Sequence, residues 1–367
     1  MARIQAVACI TLDGTLVAVT GGDDGGVRVW DVLGRRQLDT PRHPGDVRSL
    51  ACMTVDGGLV VVIGSADSAV RVWNLRGRSV VPLTSHPDSV AAVACATVNG
   101  TPVAVTGAID GLRIWPLDIG RRRTVAPENE EPYTQMVALA ALWADSERFS
   151  IQQIALATTA GRHVVLLADA NGGFAARDIA TGEPLHAPVF DTGAPLVSIR
   201  PKTLAGRQVA VVAGADGHSW VWDIATGRVA DAGSRFAEFG DGCRPFLVAD
   251  VLTDDMRVVT ITGQEDGVLR LSEAATGASL GELSGHHGPV TALSAVELDG
   301  RLLAFSGGAD GTVRVWDVVN RRQLDKIEML GEVSAIVATP DGYLLVAAAG
   351  EVVAFRHIDH IRAENHP

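Results

Sequence analysis

The sequence predicts an all-β fold made of eight similar four-stranded units. Three observations support this prediction: a Trp-containing marker recurs along the chain, alternating β-branched residues precede the markers, and Gly-containing turns separate the alternating runs. Successive markers in the 367-residue chain are 43, 42, 62, 45, 50, 44 and 39 residues apart. The eight markers, three of them degenerate, are Trp30-Asp31, Trp73-Asn74, Trp115-Pro116, Arg177-Asp178, Trp222-Asp223, Ser272-Glu273, Trp316-Asp317 and Phe355-Arg356.

Each unit predicts four strands in the same order. In the first unit an apolar strand leads to the turn Leu12-Asp13-Gly14, a β-branched strand runs from Leu16 to Thr20, and the turn Asp24-Gly25 leads into the Trp strand. A third turn, such as Asp223-Ile224-Ala225-Thr226-Gly227, leads to the outer strand, and its Gly allows the positive φ that a tight hairpin needs. One such sheet cannot bury both faces alone, so the units must stack radially around a channel.

This stacking predicts a single β-propeller domain over residues 1–367, with eight four-stranded blades. The alternative is a seven-bladed ring with an irregular terminal unit. The 62-residue interval predicts an insertion at residues 126–149, between the third and fourth repeats, as a short helix or hairpin on one rim. Because residue 4 already begins an inner strand, the eighth unit is expected to lack its outer strand or to improvise it from the tail.

Composition excludes several classes of protein. Hydrophobic residues make up 47 % of the chain, which is too apolar for a disordered protein. The formal net charge of −12 argues against nucleic acid and anionic membranes as partners. No apolar run approaches the roughly 18 to 20 residues of a membrane span, and the N-terminus reads as a strand, so we expect a cytoplasmic protein. Only Lys202 and Lys326 among 31 basic residues are Lys, a bias that predicts a high-GC, bacterial source.

Four residue types recur at fixed places around the Trp strand. Two sets are complete: His286, Ser306, Asp310 and Trp316, and His86, Thr106, Asp110 and Trp115. In this pattern the chain resembles the WD-repeat β-propeller family over nearly its whole length. The resemblance implies that each set is a structural tetrad, in which His, hydroxyl and indole groups hydrogen-bond a buried turn Asp. Other units are partial: Thr20, Asp24 and Trp30 lack the His, Asp67 and Trp73 follow His43 but have Ile63 at the hydroxyl position, and Asp216 accompanies only Trp222.

No constellation in the sequence is typical of catalysis. The Ser/Thr, His and Asp sets repeat, whereas a reaction site should be singular, and the G-x-S-x-G, G-x-x-x-x-G-K and H-E-x-x-H motifs are absent. We therefore expect no catalytic residue, no cofactor and no metal site. Cys9, Cys52 and Cys95 occupy one repeated position, where neighbouring inner strands diverge too far for a disulfide, and with Cys243 they are expected to be unpaired core thiols.

The predicted function is that of a non-catalytic scaffold that binds a protein or peptide and acts as a monomer. In the family that the chain resembles, the face with the His loops and Asp turns is the usual docking surface. The matching candidate positions here are Asp23, Asp46, Arg48, Asp88, Ser89, Glu265 and His287. Two alternatives stay open at this stage: a sensor or scaffold module that works with an effector domain, and a propeller enzyme or small-ligand binder that uses the central channel.

Overall fold

A computed structural model describes residues 4–32, 34, 36–39, 45–76, 79–117, 150–186, 194–204, 206–214, 219–231, 247–252, 258–273, 278–339 and 342–356. In these residues 29 strands form eight small antiparallel sheets, which confirms the all-β prediction and matches the eight repeat units. No helix in the described part of the chain is long and apolar enough to cross a bilayer.

The first four sheets follow one another along the chain. The first contains β1 (Ile4–Leu12), β2 (Thr15–Gly22), β3 (Val27–Asp31) and β4 (Arg36–Asp39). The second contains β5 (Val47–Val55), β6 (Gly58–Ser65), β7 (Ala69–Asn74) and β8 (Ser79–Ser85). The third contains β9 (Ala92–Val98), β10 (Thr101–Ala108) and β11 (Gly111–Pro116), and the fourth β12 (Ile151–Thr159), β13 (Arg162–Asp169) and β14 (Phe174–Asp178).

The remaining four sheets repeat this order. The fifth contains β15 (Leu196–Leu204), β16 (Arg207–Gly214), β17 (Ser219–Asp223) and β18 (Arg228–Asp231). The sixth contains β19 (Leu247–Leu252), β20 (Val258–Gly263), β21 (Val268–Glu273) and β22 (Ser279–Ser284). The seventh contains β23 (Val290–Leu298), β24 (Arg301–Gly308), β25 (Thr312–Asp317) and β26 (Arg322–Glu328), and the eighth β27 (Val333–Ala338), β28 (Tyr343–Ala348) and β29 (Glu351–Arg356).

The turns between first and second strands explain the recurrent Asp-Gly pairs. Asp13 and Gly14 have φ values of 47° and 76°, and Asp299 and Gly300 have φ values of 50° and 73°. Two consecutive positive φ angles are typical of a type I′ hairpin turn, whose twist matches that of the flanking strands. Asp tolerates this left-handed conformation better than most residues and Gly adopts it without steric cost.

A constant register brings the Trp of the third strand beside the hydroxyl of the second. Ala18 lies opposite Trp30 in the first sheet, and Ala304 lies opposite Trp316 in the seventh. The small partner leaves room for the indole, and the Ser or Thr two positions further along the second strand is its diagonal neighbour. The strand register thus determines which side chains of the second and third strands are neighbours, whatever the loops.

The apolar core lies between neighbouring sheets. The second strands are buried on both faces, so that all eight residues of β6 are buried, as expected for a sheet covered on both sides. A Gly in each of several second strands permits the close approach of the next sheet: a Cβ at Gly64 would lie 2.8 Å from a methyl carbon of Val90. A larger residue there would force two sheets apart.

The chain divides into two compact units. One, the N-terminal unit, comprises Gln5–Ile199 and Ala225–Gly227; the other, the C-terminal unit, comprises Met1–Ile4, Arg200–Ile224 and Arg228–Pro367. The predicted insertion at residues 126–149 lies outside the described residues. The single-domain assignment stays a prediction.

Three of the eight sheets have three strands in the described residues: the third, the fourth and the eighth. The chain after Arg356 lies outside the described residues, so the missing or improvised outer strand of the eighth unit stays a prediction. In the fourth sheet, where the sequence predicts an outer strand after Gly182, a bridge joins Arg177 to Pro184 in the described residues. Proline has no N–H to donate to a strand ladder, which limits the pairing at this position.

Candidate interaction face and its tetrads

The seventh sheet holds a complete four-residue hydrogen-bond network. Trp316 Nε1–H donates to Ser306 Oγ at 2.8 Å, and His286 Nε2 lies 2.8 Å from the same oxygen. His286 Nδ1 lies 3.0 Å from Asp310 Oδ1. Asp310 also accepts the backbone N–H of His287 at 3.0 Å and the Thr312 hydroxyl at 2.9 Å. The structure therefore brings all four predicted residues together.

Ionisation states follow from this geometry. Burial raises the pKa of Asp310, but hydrogen bonds from the His287 N–H, His286 and Thr312 outweigh it and hold that pKa well below its usual range. Burial lowers the pKa of His286, and Asp310 only partly offsets this effect. A neutral His with its proton on Nδ1 donates to the carboxylate and accepts the Ser306 hydroxyl proton at Nε2. All polar groups of the network are thus satisfied.

The third sheet repeats the network with one addition. His86 Nδ1 lies 2.7 Å from Asp110 Oδ1 and His86 Nε2 lies 2.9 Å from Thr106 Oγ1, which also accepts Trp115 Nε1–H at 3.3 Å. Arg113 Nη2 donates to the other carboxylate oxygen of Asp110 at 2.7 Å. One Asp here binds both a His and an Arg.

In other sheets an Arg four residues after the turn Asp forms an ion pair with its carboxylate. Arg28 contacts Asp24 at 2.7 Å in the first sheet, and Arg71 contacts Asp67 at 2.9 Å in the second. The sixth sheet has the same pair, Arg270 and Asp266, at 2.8 Å. Sequence reasoning missed these pairs, although the repeated Val-Arg-Val-Trp runs contained the signal. Because every turn Asp described here has a fixed partner, these carboxylates serve the turns themselves.

The partial tetrads differ in what they retain. In the first sheet Trp30 Nε1–H still donates to Thr20 Oγ1 at 3.2 Å without a described His. In the second sheet Ile63 occupies the hydroxyl position, as the sequence predicts, because it lies opposite Arg71 just as Thr20 lies opposite Arg28 in the first sheet. The hydroxyl of Ser65, two residues further along, accepts the Asp67 backbone N–H at 3.4 Å. His43 and Asp216 lie outside the described residues.

The sixth sheet shows a second replacement that the sequence did not reveal. Gln264 is fully buried at the position where the seventh sheet has Gly308, and Arg270 donates to its side-chain oxygen. In the seventh sheet a Cβ at Gly308 would lie only 2.5 Å from His286 Nδ1. The Gln side chain therefore fills space that the tetrad His occupies one sheet later.

In the N-terminal unit, five of the predicted binding residues lie at the tetrad-bearing end of their sheets. Asp23 is exposed in the turn after β2, Asp46 is half-buried and Arg48 exposed at the start of β5, and Asp88 and Ser89 precede β9. Backbone bonds hold these loops together: Ala66 N–H donates to Asp46 O at 2.9 Å. Asp88 Oδ1 accepts the Ser89 N–H at 2.6 Å. We call Asp23, Asp46 and Asp88 the acidic rim.

The other two predicted binding residues lie in the C-terminal unit. Glu265 is exposed in the turn after β20, and His287 is exposed directly after the tetrad His286. His287 is tied to Asp310 through its backbone N–H, so its imidazole is carried on a fixed loop.

The described thiols and acids form no metal site. Among the described residues, no group of three or more His, Cys, Asp or Glu side chains is arranged to hold a metal ion. Cys9, Cys52 and Cys95 are free and half-buried, less enclosed than the core position predicted for them. Burial raises the pKa of both Cys9 and Cys95 to about 12, so these thiols stay protonated and unreactive near neutral pH. Cys243 lies outside the described residues.

Comparisons with known proteins agree with the repeat pattern. The family described as WD domain, G-beta repeat matches residues 3–31, 35–74 and 277–317. The last segment contains the complete tetrad of the seventh sheet. These matches support the WD-repeat family, whose repeat is a four-stranded propeller blade.

Several curated proteins share part of the sequence. Small ribosomal subunit protein RACK1 of Schizosaccharomyces pombe is 39 % identical over 69 residues, which cover 19 % of this chain and 21 % of RACK1. A ribosome biogenesis protein BOP1 homolog of Caenorhabditis elegans is 43 % identical over 75 residues, covering 20 % of this chain and 11 % of that protein. A periodic tryptophan protein 2 homolog of Dictyostelium discoideum is 30 % identical over 96 residues, covering 26 % and 10 %. Each match spans about a fifth or less of the relative, and the relatives are eukaryotic, so a bacterial source stays a prediction.

Among solved structures, a designed protein is similar to this chain over most of its length. The crystal structure of the computationally designed Ika8 protein has a TM-score of 0.65 and 24 % identity, and the match covers 97 % of this chain and 96 % of that protein. At this identity the likeness concerns the fold. With the eight sheets and the WD-repeat matches, it shows that the fold is a β-propeller.

Proposed function

We propose that the protein is a non-catalytic scaffold that binds a protein partner through the acidic rim of its N-terminal unit. The observation that carries the proposal is that only some of the acidic residues at this end of the sheets form ion pairs with the Arg of their own sheet. Asp24, Asp67 and Asp110 are engaged by Arg side chains within their own sheets. Asp46 and Asp88 of the acidic rim take no part in these Arg pairs, and hydrogen bonds from the Ala66 and Ser89 N–H groups hold their loops in place.

The relatives support the same general role. RACK1 is by name a protein of the small ribosomal subunit and the BOP1 homolog a ribosome biogenesis protein. WD repeats in such settings fit an interaction scaffold better than an enzyme.

The chemistry of the partner follows from the rim. A net charge of −12 and three acidic positions favour a basic or amphipathic segment. Ile109, 55 % exposed in the turn of the third sheet, adds an apolar contact at the same end. Several weak contacts of this kind act together over a standard interface of about 800 Å² per partner.

The test begins with affinity purification of the partner from native cells, followed by measurement of association rates with the wild-type protein and the double variant Asp46→Arg and Asp88→Arg. Rim charges act mainly on association, so the variant should bind about tenfold more slowly at low salt and differ less at high salt. The control is Thr11→Arg with Thr54→Arg, which places two Arg side chains at exposed strand positions near the other end of the same unit. Unchanged association in the rim variant, with loss in the control, would refute the proposal.

A further inference from the structure

A cleft between the sixth and seventh sheets has no part in the proposed rim. It has a volume of about 380 Å³, and its floor consists of buried apolar side chains of both sheets, among them Val259, Leu271 and Leu302. Leu302 stands near the start of β24, four residues or roughly 13 Å along the strand from the tetrad residue Ser306. The cleft therefore opens at the end of these sheets remote from the tetrad. Its size is within the range of ligand pockets.

One cation stands at the wall of this cleft in a strained backbone conformation. Arg321 has a φ of 52°, in the left-handed region, whereas the corresponding turns of the fourth and fifth sheets have Gly182 and Gly227, with φ values of 77° and 66°. A non-Gly residue at such a φ is disfavoured, and strain of this kind clusters at functional sites. The turn would form more easily with Gly, so the Arg side chain needs another reason.

The neighbouring strand is shaped to hold that Arg. Arg321 Nη1–H donates to the backbone oxygen of Leu280 at 2.9 Å. Gly281 follows, and a Cβ there would lie 3.0 Å from both Cδ and Nη1 of Arg321. The guanidinium has five N–H groups, more than one carbonyl can use, and is thus fixed in place with donors to spare for a carboxylate.

The border of the cleft favours a peptide as the occupant. The outer strand of the sixth sheet, β22, is the last strand in its sheet and borders the cleft through Ser279 and Leu280. An edge strand offers backbone groups to an extended segment, and an adjacent pocket selects its side chain. Val319, 65 % exposed, adds apolar surface at the mouth.

We propose that this cleft binds a short extended segment of a partner protein that places an aliphatic or aromatic side chain in the apolar floor and the carboxylate of a neighbouring acidic residue on Arg321. The inference does not rest on the acidic rim. It calls for an acidic and apolar ligand, whereas the rim calls for a basic one, so the two ideas fail separately.

The test uses a fluorescein-labelled octapeptide, Ser-Gly-Asp-Leu-Phe-Asp-Gly-Ser, titrated with the full chain by fluorescence anisotropy. We expect saturable binding with a Kd of about 10 to 100 µM. Arg321→Gln should weaken it at least about tenfold through loss of a charge-assisted contact, and Leu280→Trp, which fills the cleft, should abolish it. Arg322→Gln is the matched control: this side chain is 58 % exposed, lies outside the cleft and should change Kd less than about twofold.

Further measurements separate binding from a structural role for the Arg. Arg321→Gly relieves the strain of the left-handed backbone conformation. It should therefore leave Tm unchanged or raise it, while it weakens binding of the peptide. A lowered Tm would make Arg321 a structural tie and overturn the proposal. So would no saturable binding up to about 1 mM, equal binding of the peptide with Asn in place of Asp, or binding of decanoate without the peptide, which would indicate a small carboxylate ligand.

Discussion

The seventh and second sheets each bind a turn Asp, but with different side chains. Both place an Asp in the turn before the Trp strand. In the seventh sheet Asp310 faces the fully buried ring of His286, and its own side chain is 9 % exposed. In the second sheet Asp67 pairs with Arg71, and the two side chains are 29 % and 18 % exposed. One carboxylate is anchored inside the sheet and the other beside solvent.

This difference decides how much each pair stabilises the fold. A buried group that loses its partner suffers the full desolvation cost, whereas a partly exposed ion pair is replaced in part by water and is screened by salt. In both sheets the turn Asp binds groups of its own sheet, and the proposed acidic rim uses other residues of the same face.

The largest effect should come from removing the neighbour of the tetrad sheet. A chain that ends at Leu330 lacks the eighth sheet, whose Val333, Ile336 and Leu344 pack with Phe305 and Val313 of the seventh. Exposure of this core should abolish the cooperative unfolding transition, as measured by thermal denaturation with circular dichroism. A full transition at the original Tm would show that the eighth sheet is only an appendage.

Removing the turn carboxylate should lower the free energy of unfolding by different amounts in the two sheets. Asp310→Ala removes the acceptor that His286, Thr312 and the His287 N–H share. It should lower the free energy of unfolding by about 1 to 3 kcal/mol. Asp67→Ala should cost at most about 1 kcal/mol, because Arg71 remains accessible to water. Urea unfolding of both variants measures the difference; an equal or reversed order would contradict the comparison.

Acid should affect the two sheets over different pH ranges. Burial lowers the pKa of His286, so below about pH 6.5 the unfolded chain takes up the proton first, and stability that is full above this pH is lost as the pH falls. For Asp67, burial raises the pKa, but hydrogen bonds from Arg71 and Ser65 lower it from 3.8 to about 2, so its contribution is lost only between these values.

His286→Gln should therefore reduce the fall in unfolding free energy between about pH 7.5 and 5.5, and Asp67→Asn should leave that fall unchanged. Urea unfolding at the two pH values provides the measurement. If both variants kept the wild-type pH dependence, His286 would not be neutral in the fold.

The smallest effect is expected from Arg71, the half-buried Arg of the second sheet. Arg71→Gln should lower the free energy of unfolding by about 0.2 to 1 kcal/mol at low salt and by less at high salt. Arg314 holds the same position in the seventh sheet, but it is only 7 % exposed and donates to Gln323 Oε1 at 2.5 Å. Arg314→Gln should therefore cost more and depend less on salt, and the reverse result would count against the burial argument.

The sequence predicted the repeated part of this arrangement and missed what depends on loops. The spacing of Ser306 and Trp316 predicts their hydrogen bond because strand register is nearly constant between sheets. Whether His or Arg takes the turn Asp depends on the loop that enters the sheet, which spacing does not describe. Gln264 shows the same limit, since its buried position depends on space beside the turn and not on any motif.

The most direct test of the comparison is a pair of double-mutant cycles on the free energy of unfolding. One cycle uses His286→Gln and Asp310→Asn, and the other uses Arg71→Gln and Asp67→Asn, all at neutral pH and constant salt. The account predicts a coupling of about 1 to 3 kcal/mol for the His286 and Asp310 pair and less than about 1 kcal/mol for the Arg71 and Asp67 pair. A coupling in the second sheet equal to or larger than that in the seventh would contradict the account.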